Sequence, residues 1–568
     1  MTGLHTVAAA AVLAGALALP ASASAAAAAP AGTPVSVAVI MPLTVPSTTT
    51  GLLGTEALET YTQPGGLLAR QLDAVEGTSA TVALDPMIVA SIRVQGAGAP
   101  PDALDFLERL RALPNEVFLL AYADADPALA VQADMSGQLE PLGFDFAIDP
   151  ADFGPAVSPT PTPTPDPTAT SAPDPQQTPP PEDDGPPPLP DTAALLDWPT
   201  TLPRIAWPAE GSVGAESLEG LAELDYDEVL VAAADVSPTS AASVDLGAID
   251  GLVVDEDVSS ALRQTVYAAT ESDFVAGQGT LAAALRAEAL RTPGRTIIAT
   301  LDRRWAFGSI RLAEALNGIA VSPSADLTPL SAVLAGPRSA ATIAGPSGDA
   351  GAERVATLRA VAEAVRAEAA YLRIADDPAP LTQPRRLALL GLAGVGWSVD
   401  PVGWEAATAE ELQQAEATRD AVQIVEGSDQ LLLSDISSLR LQVSNALPVA
   451  VTVALDVRPL RPILHVEQRS VTLSIEPDST ATATVPVEAI TNGEVTVRAE
   501  LRDRLGNTIG QPRSLNVILQ AGWETAGTLI VGVLVVLIFG GGLVRAVLRR
   551  RRQVREGVAA DGPAEGDG

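Results

Sequence analysis

The sequence predicts an irregular α/β (β/α) barrel, then a helical block, an all-β immunoglobulin-like sandwich and one C-terminal transmembrane helix. Three observations carry this order. Apolar strands alternate with segments of helical spacing through residue 335; the apolar period switches to two after Gln430; and a run of 19 uncharged residues, Ala526 to Val544, stops at Arg545. The boundaries that follow are a signal peptide over 1–25, a barrel over 35–335 with a Pro-rich insert at 155–190, the helical block over 350–425, a sandwich stalk over 430–520, the membrane helix over 526–544 and a tail over 545–568.

In chain order, Val7 to Leu19 (VAAAAVLAGALAL) is too short to span a bilayer and leads into Pro20–Ala25, which offers A-x-A cleavage after Ala23 or Ala25. The n-region carries only His5, a departure from the usual basic start. Strands are expected at Val35–Met41, Thr81–Leu84, Val117–Tyr122, Arg204–Trp207, Glu228–Ala232, Leu252–Val254 and Thr296–Leu301. Helices fall between them, as over Asp102–Leu113, where Leu104, Leu107 and Leu110 share one face and Pro114 is the stop. Strand, helix, strand is the rhythm of parallel βαβ units. About seven such strands fit an irregular barrel, with an open doubly wound sheet as the alternative. Pro155 to Pro190, with Pro at nearly every second position, can form neither ladder nor helix and is expected to be extended and disordered.

Beyond residue 335, Ala350–Ile374, Pro384–Leu392 and Ala409–Ala421 have helical spacing. The period-two segments LRLQVSN, VTVALDVRP, VTLSIEP, TATATVPV, EVTVRAEL and SLNVILQ then alternate apolar and polar positions with turn signals between, the pattern of a sandwich without the antibody Cys pair. The run after Ala526 spans about 28 Å as a helix, close to the hydrocarbon thickness of a bilayer. Arg545, Arg549, Arg550, Arg551, Arg552 and Arg555 follow it, so the positive-inside rule puts the tail in the cytoplasm and the bulk outside a single-pass membrane anchor.

Composition removes several chemistries. A net charge of −36 argues against a nucleic-acid partner, which calls for a basic surface. All 34 basic residues are Arg, so a Schiff-base or P-loop lysine is absent, and zero Cys rules out disulfides, thiol catalysis and thiolate metal sites. No metal or other cofactor is expected.

The candidate site lies at the strand ends. Asp85, Asp124, Asp126, Glu210 and Asp302 each fall just after a strand, where a barrel puts its active face, and Trp207 and Trp305 lie on the same rim, suited to stacking on a sugar ring. The competing reading is structural: a strand-end Asp caps the next helix or pairs with Arg303 or Arg304, and a rim Trp belongs to the core. Several stretches (VALDP at Asp85, LLAYADADPALAV, IAWPAEG, IIATLDRRWA, VSNALPVAVTV and GWETAGTLIVGVLVVLIFGGGLVR) together resemble an actinobacterial family of uncharacterised, secreted, membrane-anchored proteins whose genes tend to neighbour the lipid II flippase. That resemblance implies a cell-envelope setting, with a cell-wall glycan or precursor or an envelope protein as partner, and no reaction.

The barrel half also resembles polysaccharide deacetylases and some glycoside hydrolases. Those deacetylases hold a metal with Asp and two His, whereas this chain has only His5 and His465, both outside the barrel. Two function classes remain: a non-enzymatic envelope accessory or scaffold with a degenerate glycan-type barrel, and a surface glycoside hydrolase using paired rim carboxylates.

Overall fold

A computed structural model describes residues 33–154, 189–303, 310–343, 349–520 and 523–556. The expected signal peptide, residues 155–188 of the Pro-rich segment, Trp305 and the last twelve residues of the tail lie outside the described residues.

The seven strands read from the first 300 residues form one parallel sheet: β1 (Val35–Leu43), β2 (Thr81–Leu84), β3 (Val117–Leu119), β4 (Ile205–Ala206), β5 (Glu228–Ala232), β6 (Asp250–Val254) and β7 (Thr296–Thr300), in the order β4-β5-β6-β7-β1-β2-β3. β1 is central and almost wholly buried, which is why its sequence is nearly continuous in apolar residues. It pairs with β7 on one side and with β2 and the short strand Ala325–Leu327 on the other. Ser243–Asp245 adds an antiparallel neighbour to β6.

The sheet curls until its edges approach. The N–H groups of Thr201 and Leu202, just before β4, donate to the Val117 carbonyl on β3 at 3.0 and 3.3 Å. All seven strands send side chains into one interior cluster, among them Ile40, Ala83, Phe118, Ile205, Leu230, Leu252 and Ile298. β3 stops three residues short of the sequence expectation because Ala123 and Asp124 adopt left-handed backbone (φ 59° and 49°) that cannot continue a strand.

Helices cover the outside. Those bearing on the site are α1 (Pro86–Arg93), α2 (Pro127–Gln132), α3 (Glu256–Val266), α4 (Asp349–Tyr371), α5 (Ala379–Leu392) and α6 (Pro401–Arg419). Leu358, Val361 and Val365 of α4, Leu387 and Leu390 of α5 and Trp404 of α6 share a buried cluster with Val37, Val39 and Met41 of β1, and the helical block meets the rest through α4 against α2 and α5 against the turn Tyr122–Asp124.

Two sheets follow. One is β8 (Val422–Ile424), β10 (Ile436–Asn445), β14 (Ser479–Ala489) and β12 (Leu464–Val466) in that spatial order. The other runs β9 (Gln430–Leu432), β16 (Thr508–Leu519), β15 (Gly493–Arg502), β11 (Val451–Pro459), β13 (Ser470–Ile475). Alternation does the sorting: Val451, Val453, Leu455 and Val457 of β11 and Val495, Val497, Ala499 and Leu501 of β15 point into one core with Leu439, Val443 and Val485 from the other sheet. α7 (Trp523–Glu556) follows, and its stretch Gly527–Arg551 is long and apolar enough to cross a membrane and is not buried among the described residues.

Candidate functional site

A cleft of about 390 Å³ opens at the C-terminal ends of β4, β5, β6 and β7, within the ~300–1,000 Å³ typical of small-molecule pockets. Each strand delivers its own contribution: Trp207 to Gly211 after β4, Asp235 after β5, Glu256 at the start of α3 after β6, and Leu301 to Arg303 after β7. A fifth wall comes from far along the chain, where the 3₁₀ turn after α5 supplies Val395, Gly396, Ser398 and Val399. The lining therefore holds four carboxylates (Glu210, Asp235, Glu256, Asp302) and two guanidinium groups (Arg263, Arg303).

Arg263 holds two of these four acids in place. Arg263 pairs with Glu256, lies 3.9 Å from Asp302 and donates to the Thr300 carbonyl at 3.3 Å. Arg303 is nearly buried; its Nε lies 2.8 and 3.0 Å from the two Asp124 oxygens, and another nitrogen donates to the Trp207 carbonyl at 2.6 Å. The same guanidinium stacks over the Trp207 ring, 4.4 Å from its centroid. One face of that indole is thus occupied by a cation rather than left open to a sugar. Asp235 has no arginine beside it among the described residues: burial raises its pKa, opposed by one hydrogen bond from the Gly211 N–H.

Of the residues singled out from sequence, Trp207, Glu210 and Asp302 line the cleft, while Asp85, Asp124 and Asp126 are not part of its lining. Asp85 caps α1, accepting from Met87 N–H at 2.9 Å and from Ala123 N–H at 3.0 Å. Asp126 caps α2 through Ala128 and Leu129 N–H, both at 3.0 Å, and its second oxygen accepts from Ala209 N–H at 3.1 Å. All three are buried. Burial, and the nearby Asp124 charge, push Asp85 up to about 8. Burial raises Asp124 to about 6 against the pull of Arg303. Among the described residues no group of three or more metal-ligating side chains converges.

Sequence reasoning missed Asp235, Glu256, Arg263 and the 395–399 wall. The first had a readable signal, since Asp235 follows β5 as Asp302 follows β7.

Among solved structures, the chain is similar to the α-amylase AmyC of Thermotoga maritima, at 11% identity over 68% of this chain and 93% of that one, with a TM-score of 0.38. It is also similar over 18% of its length to native α2-macroglobulin of Escherichia coli (14% identity, TM-score 0.15), where it spans 16% of that chain. WR4, an MSP family member of Caenorhabditis elegans, matches over 18% of this chain and 98% of its own (4% identity, TM-score 0.14). No curated protein matches the sequence significantly. A family match over residues 5–565 spans both the cleft and the apolar C-terminal helix, and the chain therefore belongs to DUF6049, a family of unknown function.

Proposed function

We propose that this protein is a non-enzymatic component of a cell-envelope surface, an accessory or scaffold in cell-wall biogenesis that holds a glycan or glycan precursor in the cleft at β4–β7. In this reading the N-terminal segment 1–25 exports the chain, α7 crosses the membrane once with its Arg cluster inside, residues 430–520 are an immunoglobulin-like stalk, and residues 35–335 are a degenerate irregular barrel. The observation that carries it is the pairing of the cleft acids. Hydrolysis of a glycoside uses two carboxylates flanking the bond; of the four cleft acids Glu256 is ion-paired to Arg263 and Asp302 lies 3.9 Å from the same guanidinium, which leaves only Glu210 and Asp235 without an arginine among the described residues. A wall of paired acids and arginines beside an indole suits a neutral or weakly charged polyhydroxyl ligand, which exchanges hydrogen bonds with each in turn.

One observation favours the second reading, a surface glycoside hydrolase: the raised pKa of buried Asp235 is the property wanted in a general acid. Titration of the detergent-solubilised full chain with soluble peptidoglycan fragments tests both. Binding that weakens at least tenfold in Trp207→Ala, with no release of reducing ends, is the expected result. Absence of binding would overturn the proposal, and release of reducing ends that stops in Asp235→Asn would replace it by hydrolysis.

A further inference from the structure

The sandwich has two unlike ends. One is bolted to the helical block around Asp376: its N–H donates to the Ala450 carbonyl at 3.0 Å, and its carboxylate accepts from Thr452 Oγ1 at 3.0 Å and Arg504 at 2.5 Å. At the other end β16 finishes at Leu519, opposite Gly493. α7 begins at Trp523, four residues on, so the two Cα atoms are at most about 14 Å apart.

That second end carries exposed aliphatic side chains on its loop tips: Leu433 (67% exposed), Ile436 (72%), Leu460 (63%) and Ile490 (58%). Backbone bonds put them together. The Gln520 N–H donates to Leu432 at 2.8 Å, the Ala489 N–H to Asp435 at 2.8 Å, and the Ile490 N–H to Ile463 at 2.9 Å, while Leu460 is tied to Thr496 at 2.9 Å. The tips come from both sheets, from loops and from the first residue of β10. They suit a surface that yields around them, and the chain itself leads from this end, within four residues, to the helix that enters such a surface.

We infer that this end of the sandwich seats on the bilayer, with the four aliphatic tips in the headgroup–acyl boundary, where apolar side chains of interfacial segments bury. The stalk then stands on the membrane rather than swinging from a tether. This rests on the reading of α7 as a membrane span. Asp435, Glu488 and Glu494 are exposed around the tips and Arg461 is the basic residue among them, so the attraction is apolar and anionic lipid does not strengthen it.

The absence of Cys in the sequence makes the test direct. Single substitutions Leu433→Cys, Ile436→Cys, Leu460→Cys and Ile490→Cys are labelled with an environment-sensitive fluorophore in the full chain, reconstituted in phosphatidylcholine vesicles with and without phosphatidylglycerol. Leu505→Cys, 73% exposed on the opposite hairpin, and Leu534→Cys, within α7, are the references. Nitroxide carried near the lipid headgroup is expected to quench the four tip labels severalfold more than the Leu505 label, equally in both lipid mixtures. Tips as open to aqueous iodide as the Leu505 label, with the Leu534 label quenched by nitroxide lipid carried deeper, would overturn the seating and leave the span intact. Tips shielded from both quenchers would mean that a protein surface covers them, which also overturns it. A Leu534 label out of reach of lipid quenchers would overturn the seating and the span together.

Discussion

Aspartate followed by proline recurs at helix starts in this chain, at Asp85-Pro86, Asp126-Pro127, Asp149-Pro150 and Asp400-Pro401, and in each the carboxylate accepts a backbone N–H of the first turn while proline fills the first helical position. The dipeptide thus marks one kind of strand-end acid, the cap. Asp85 and Asp126 precede Pro and are caps; Asp235 and Asp302 do not, and they line the cleft. Sequence could put acids at strand ends by period and spacing and could name Arg303 as a partner for one of them, but which acid it holds, Asp124, depends on the curl of the sheet. Asp85 has a folded-state pKa of about 8 against 3.8 for the free group. The fold therefore favours its protonated form, and its contribution is full below about pH 4 and is lost, at about 1.4 kcal/mol per pH unit, as pH rises towards 8. Asp85→Asn keeps an oxygen for the Met87 and Ala123 N–H groups; urea melts at pH 5 and pH 8 are expected to differ less in this variant than in the parent. Arg303→Met leaves Asp124 buried without its cation and is expected to cost on the order of 3–5 kcal/mol in the same melts at pH 8. Because that carboxyl can protonate, the loss should shrink as the pH is lowered towards 4.

At the scale of elements, the cleft depends on how closely α5 approaches the loop after β1. A Cβ on Gly391 would lie 2.3 Å from the Thr48 carbonyl oxygen, and one on Gly51, whose φ is +60°, would lie 2.0 Å from the Leu387 carbonyl oxygen. Both obstacles are backbone, so neither can swing aside. Gly391→Ala is expected to lower stability by about 1–3 kcal/mol, seen in a thermal melt, and to weaken any ligand of the cleft, because the 395–399 wall follows directly. Periodicity located this helix, ending it at Leu392 as observed, yet gave no reason to bring the next seven residues to a cleft built from strands a hundred residues earlier. α1 escaped for a different reason: seven of its eight residues are buried, so it has no polar face and no 3.6-residue period to detect. The parallel strands were legible because burial on both faces makes each a short apolar run, and the sandwich strands because one face is wet.

For the whole molecule, the order of units along the chain predicts a topology: protease applied to intact cells with a permeable wall should remove the region before Ala526 and spare an epitope after Arg555, and an intact sandwich would contradict it. The position of β1 has a further consequence, for when the chain can fold. This strand is near the start of the described chain, but its partners are Thr81–Leu84, Thr296–Thr300 and Ala325–Leu327, and the helices packed against it include Glu271–Arg291. Contacts of such sequence separation make folding slow, and parallel pairing must wait for the later strands. A chain crossing a membrane from its N-terminus would expose β1, an apolar strand whose β7 edge stays open, until about 250 further residues had followed it. Truncation at residue 290 should therefore leave a chain with no cooperative melt by circular dichroism, and a holding chaperone on the far side of the membrane is the kind of helper such a strand requires while it waits.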